Sequence, residues 1–105
     1  MEYKIKYSSI AEESLINIFD YISVVLSNSI AARNTVEGII ATINSLKEFP
    51  KKYKLCEEAF LSERNIRSTK YKNYKILYYV DDSEKIILIN NIFFIKRDIK
   101  NVLNN

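Results

Sequence analysis

The chain contains no histidine and no tryptophan, and only one residue each of glycine, proline, cysteine and methionine in 105 positions. Each scarcity excludes chemistry. Without histidine, Ser-His-Asp and Cys-His nucleophile systems cannot be assembled. Most zinc sites need histidine or several cysteines, so neither a metal nor another cofactor is expected. Gly38 is the sole glycine and lies in a helical pattern, which rules out a phosphate-binding loop or a dinucleotide fingerprint. Cys56 alone cannot form an internal disulfide, and with no histidine to activate it, it reads as a small, partly buried apolar residue. Nowhere does an apolar run approach the ~20 residues of a membrane span. The start, Met1 to Ser9, has no basic head or apolar signal segment. Cytoplasmic location with no membrane partner is the expectation. Any catalysis would have to use Lys, Arg, Tyr or carboxylates.

What is present is apolar residues at 48% and charged residues at 28%, an ordinary globular balance for one domain spanning 1–105. The net charge of +3 is unevenly placed. Residues 1–50 carry four basic and six acidic groups, whereas residues 51–105 carry twelve and seven. Between Arg64 and Lys75 there are five basic residues and no acid. Such a stretch suits an anionic partner. It equally suits a solvated strand edge that discourages aggregation.

Periodicity orders the chain. Tyr3–Tyr7 alternates as a short strand. Ser9 and Glu12 fit a capping box ahead of a first helix, whose stripe is Ala11, Leu15, Ile18, Phe19, Ile22, Val25 and Leu26. Ser27-Asn28-Ser29 interrupts the pattern. A second helix carries Ala32, Val36, Ile39, Ile40, Ile43, Leu46 and Phe49 and stops before Pro50. The two form an antiparallel helical hairpin that needs a sheet to cover it. Lys51–Glu63 reads as a loop and Asn65–Lys70 as a strand. Tyr74–Val80 and Ile86–Ile95 then form a hairpin about an acidic turn, apolar on both faces as for strands covered on both sides. Asp98–Leu103 is expected as a short final helix capped by Asp98. The fold class is α+β: an N-terminal strand, an α-helical hairpin, an antiparallel sheet and a short C-terminal helix.

Five stretches in this order resemble the RelE/ParE toxins of bacterial type II toxin–antitoxin systems. They are Ser8–Leu15, Ser45–Pro50, Asn65–Arg67, Asn73–Asp81 and Ile92–Ile99, and together they span most of the chain. The resemblance implies a small cytosolic toxin that either cuts mRNA on the ribosome or poisons DNA gyrase, neutralised by an antitoxin encoded beside it. It also implies where chemistry would sit. Lys75 stands where the family often has an arginine that stabilises charge at the scissile phosphate, and lysine lacks the bidentate fork. Asn91 stands where an arginine is common. Phe94 stands where His or Tyr would exchange a proton, which phenylalanine cannot do. Arg67, Arg97 and Asp98 follow the family pattern.

Two mechanisms are therefore open. In a metal-independent mRNA endonuclease, the RNA 2′-hydroxyl attacks while Lys75, Arg67 and Arg97 neutralise the transition state. Tyr74 or Tyr78 would then be the remaining proton donor, with Lys70, Lys72 and Lys96 holding the RNA. In a non-catalytic gyrase inhibitor, Arg67, Lys75, Asn91 and Phe94 would instead form a protein contact. A degenerate toxin that only binds its antitoxin is a third reading. Under each of them, an antitoxin segment that folds on binding is expected to lie on the two amphipathic helices and the sheet edge.

Overall fold

A computed structural model describes residues 2–95. The final helix expected at Asp98–Leu103, together with Lys96, Arg97 and Asp98, lies outside the described residues. The elements are β1 (Lys4–Tyr7), α1 (Ser9–Asp20), a π-helical turn (Tyr21–Val25), α2 (Ser29–Asn44), a 3-10 turn (Ser45–Lys47), α3 (Ala59–Ser62), β2 (Ile66–Tyr71), β3 (Tyr74–Asp81) and β4 (Ile86–Phe94). The sheet order is β1-β4-β3-β2. The three C-terminal strands are antiparallel as expected, and β1 adds to β4 in parallel, so the sheet is mixed.

Helix α1 begins one residue earlier than a cap at Ser9 would have it. Ser8 is the N-cap: its Oγ accepts from the Ala11 amide at 3.0 Å and donates to the Asn90 carbonyl at 2.8 Å. One side chain thus closes the helix end and ties it to β4. Glu12 therefore falls outside a capping-box position. The apolar stripe of α1 holds for Ala11, Leu15, Ile18 and Ile22, but Phe19, Val25 and Leu26 are exposed. The π turn widens the helix by one residue per turn, which rotates the end of the stripe off the core. In the same way the 3-10 turn after α2 changes the period, so Leu46 is buried while Phe49 is 67% exposed.

The main core lies between the helices and one face of the sheet: Ala11, Ile39, Ile43, Leu46, Ile76, Tyr78, Ile87, Ile89 and Ile92. Each fully buried isoleucine there contributes about 1.5–3 kcal/mol through burial. The single glycine has its reason in this layer. A Cβ at Gly38 would sit 2.1 Å from Cζ of Tyr71, so bare backbone is what lets α2 approach the β2 ring.

The expectation that the central strands are covered on both sides is corrected. The helical hairpin of α1 and α2 covers one face only. On the other, a smaller cluster of Cys56, Ile66 and Leu77 packs with Leu61, Tyr79 and Phe93. The segment read as a plain loop supplies this partial cover, through α3 and a stretch that runs along β2. The Cys56 amide donates to the Ile66 carbonyl at 2.8 Å, and the Ser68 amide to the Lys54 carbonyl at 3.4 Å. The outer edge of β2 is thereby occupied by the chain itself.

Candidate functional site

Strand register decides which candidate residues can work together. On β2, Arg67 is paired with Tyr78 and Tyr71 with Tyr74, while Lys70 is paired with Lys75. Because neighbours on a strand point to opposite faces, Arg67, Tyr74 and Tyr78 lie on the helix side. Lys70 and Lys75 lie on the open side. The sequence-derived set is therefore divided between two faces.

On the helix side the groups are engaged. Arg67 donates from Nη1 to the Tyr53 carbonyl at 2.8 Å, and the Tyr78 hydroxyl donates to the carbonyl of buried Pro50 at 2.7 Å. Burial pushes the Tyr78 hydroxyl up to about 12. Tyr74 is also raised, first by burial and then by Tyr21 nearby, and its ring meets Phe94 edge-on at 5.4 Å. Asn91 follows a β-bulge between Leu77 and Tyr78. Its Oδ1 accepts from Ser14 Oγ at 3.2 Å and from the Ile92 amide at 2.8 Å, tying β4 to α1. Lys72 is at the exposed tip of the β2–β3 hairpin with φ 52°, and its ammonium stands 5.5 Å from the Tyr71 ring centre.

On the open side, Lys75 is flanked by Lys70 on β2 and by half-buried Phe93 on β4. It also lines a cleft of about 650 Å³ with Lys52, Tyr53, Lys54, Cys56 and Ser68, and with the acids Glu57 and Glu58. Burial pushes the Cys56 thiol up, against smaller lowering effects from Ser68 and Lys75, so it is held as the neutral thiol. The expectation of Cys56 as a buried, small apolar residue agrees with its 5% exposure. Lysines 52 and 54 were not among the sequence candidates. Their signal was the basic run Lys51-Lys52-Tyr53-Lys54, whose proximity to Lys75 depends on the chain folding back along β2.

Electrostatically, Lys52, Lys54 and Lys75 can attract an anionic group there, against an opposing contribution from Glu57 and Glu58 on the same lining. Among the described residues, no cluster of His, Cys, Asp or Glu could hold a metal ion. No helix there is long and apolar enough to cross a membrane.

Comparison with known proteins agrees with this architecture. The chromosomal ParDE system of Pseudomonas aeruginosa contains a chain of the same fold, with a TM-score of 0.73 at 18% identity, covering 90% of this chain and 97% of that one. The RelBE2 toxin–antitoxin complex of Mycobacterium tuberculosis gives 0.62 at 16% identity, covering 90% and 99%. The isolated RelE toxin of E. coli gives 0.64 at 13% identity, covering 97% and 94%. No curated sequence matches significantly. The family model for the ParE toxin of type II toxin–antitoxin systems, parDE, matches residues 5–93. With that match extending from β1 to the end of β4, the chain belongs to the ParE toxin family.

Proposed function

We propose that this chain is a toxin that arrests growth in the cytoplasm by holding a macromolecular target against its open sheet face, without cutting RNA, and that a partner antitoxin neutralises it. DNA gyrase is the target this reading favours. One observation supports it: Lys70, Lys75 and Phe93 lie together on the face away from α1 and α2, whereas Tyr74 and Tyr78, the proton donors expected beside Lys75, lie on the face those helices cover. A surface of aromatic and cationic anchors needs no acid or base. Phe94 and Asn91, which cannot exchange a proton, are no obstacle to it.

The second reading, metal-independent mRNA cleavage, draws on the cleft where Lys52, Lys54 and Lys75 gather around Ser68. Lysines there would neutralise a phosphorane-like transition state. Induction in a bacterial host, with mRNA 5′ ends mapped beside gyrase-trapped DNA breaks, separates the two. DNA breaks without codon-positioned RNA cuts are expected; codon-positioned cuts would replace this reading with the second. Lys75→Ala is expected to abolish growth arrest while leaving the fold and the antitoxin complex intact. Unchanged toxicity would remove Lys75 from the site.

A further inference from the structure

Tyr21–Ala32 is the longest stretch of the chain without a charged residue. The next longest, Ile86–Ile95, supplies β4 of the sheet. Tyr21–Ala32 instead forms the closed end of the helical hairpin, and its large side chains lie at the surface. Tyr21, Val24, Val25, Leu26 and Ile30 are each more than half exposed, Val24 and Ile30 by 72% and 73%.

The backbone holds them there. The π turn rotates Val25 and Leu26 off the core, and such turns occur often at functional sites. Ser27 then reverses the chain at φ 52°. The Leu26 amide donates to the Tyr21 carbonyl and the Asn28 amide to the Ile22 carbonyl, each at 3.1 Å. Asn28 Oδ1 accepts from the Ala31 amide at 3.0 Å and starts α2. The five side chains together present on the order of 600 Å² of accessible surface, the upper end of what a monomer leaves as one apolar patch. A pair of chains covering this patch on both copies would bury about 1,200 Å², the lower bound of specific protein interfaces.

Charge points to the occupant. A patch with no charge inside it cannot select a charged partner, and its match is another neutral apolar surface. Two copies meeting there bring no like charges together. At the two ends of the stretch stand exposed Asp20 and exposed Arg33, one of each sign. In a two-fold contact residue i meets j and j meets i, so the pairing of Asp20 with Arg33 forms twice.

We propose that the closed end of the helical hairpin is a homodimer interface, where a second copy of this chain packs the same Tyr21–Ile30 surface about a two-fold axis. Asp20 and Arg33 pair across it at the rim. The association is weak and reversible, in keeping with its area. Because the interface belongs to the helical layer, Lys70, Lys75 and Phe93 on the opposite face of the sheet stay uncovered in both copies.

Sedimentation velocity of the full chain, diluted from about 1 mM, should show a reversible monomer–dimer equilibrium with a micromolar dissociation constant. Concentration-dependent amide NMR shifts should map to residues 19–33. Val24→Glu with Ile30→Glu should raise the dissociation constant at least tenfold and leave the melting curve of the dilute chain unchanged. Asp20→Arg should weaken the dimer about threefold. Adding Arg33→Asp should restore it, which a misfolded variant could not do. A chain that stays monomeric at about 1 mM overturns the proposal. So does a dimer that ignores the two glutamates, or one whose shifts fall elsewhere. A charge swap that fails to restore the dimer overturns the two-fold pairing. If these residues are protected only in a complex with the neighbour-encoded protein, a different partner covers the patch and the homodimer is overturned.

Discussion

The two faces of β4 carry nearly the same residue types yet differ in what surrounds them. Ile87, Ile89 and Ile92 are fully enclosed by α1, α2 and β3, whereas Ile86, Leu88 and Phe93 on the other side are only half-buried. The first set specifies the fold. The second is apolar surface that the sheet presents beside Lys4, Lys6, Lys70 and Lys75, covered only in part, where Leu61 of the short α3 and Phe93 pack on the cluster of Cys56, Ile66 and Leu77. Hydrophobicity alone therefore does not separate core from open surface in this molecule; the layer of α1 and α2 does.

Adjacent substitutions on one strand test that contrast most sharply. Ile89→Ala removes a fully buried side chain and should cost about 2–5 kcal/mol in denaturant unfolding. Leu88→Ala, one residue away and facing out, should cost less than ~1 kcal/mol because only part of its area leaves water. Equal losses would mean that the open face is packed in solution. An effect smaller than that of Ile89→Ala is expected from Tyr78→Phe, which keeps the ring but leaves the carbonyl of buried Pro50 without its partner. That change should cost about 1–3 kcal/mol. It would show that the hydroxyl serves the link between β3 and the segment after α2, in keeping with its place on the covered face.

Much of this was readable from residues. The alternation in Tyr74–Val80 and Ile86–Ile95 marked a hairpin, and the two helical stripes marked a layer that needs a sheet. The errors have local physical causes. A constant 3.6-residue period puts the ends of both stripes, at Val25–Leu26 and Phe49, in the core. The π and 3-10 turns break it, through backbone hydrogen bonding that side-chain periodicity does not encode. Apolar residues on both faces of β4 suggested two covering layers, yet residues 51–63 are too few to build a second one. The candidate site was legible as residue types but not as a constellation. Arg67 and Lys75 both belong to the basic lead-in, and strand parity sends them to opposite sides. Lys52 and Lys54 join Lys75 only through tertiary folding.

Ser8→Ala probes the junction of the two regions. Ser8 caps α1 and bonds to Asn90, the unpaired residue of the β4 bulge. Loss of the cap should lower stability by about 0.5–2 kcal/mol. Because the bond between Ser14 of α1 and Asn91 of β4 is the next link across this junction, the variant should also increase hydrogen exchange in the first turn of α1 and around the bulge, while leaving β2 unchanged. Exchange that rises throughout the sheet would show that the bulge holds both faces together.

The smallest effect is expected at the turn between β3 and β4, where the charges lie at the surface and solvent screens them. Asp82 accepts from Lys51 and from Tyr3, and those two bonds, in that order, hold its carboxyl below the usual range. Asp81 is lowered likewise, first by the Ser83 hydroxyl and then by the Glu84 amide. A carboxyl with a depressed folded pKa contributes stability that is present above its unfolded value, near pH 4, and is lost as pH falls through the folded one. Asp82→Asn should therefore lower the melting temperature slightly at neutral pH and flatten the acid limb of the stability profile. The variant and the parent chain should converge at low pH. High salt should shrink the neutral-pH gap, since exposed pairs are screened. A gap that persists at low pH would mean that Asp82 acts through packing of Tyr3 against the turn and not through its charge.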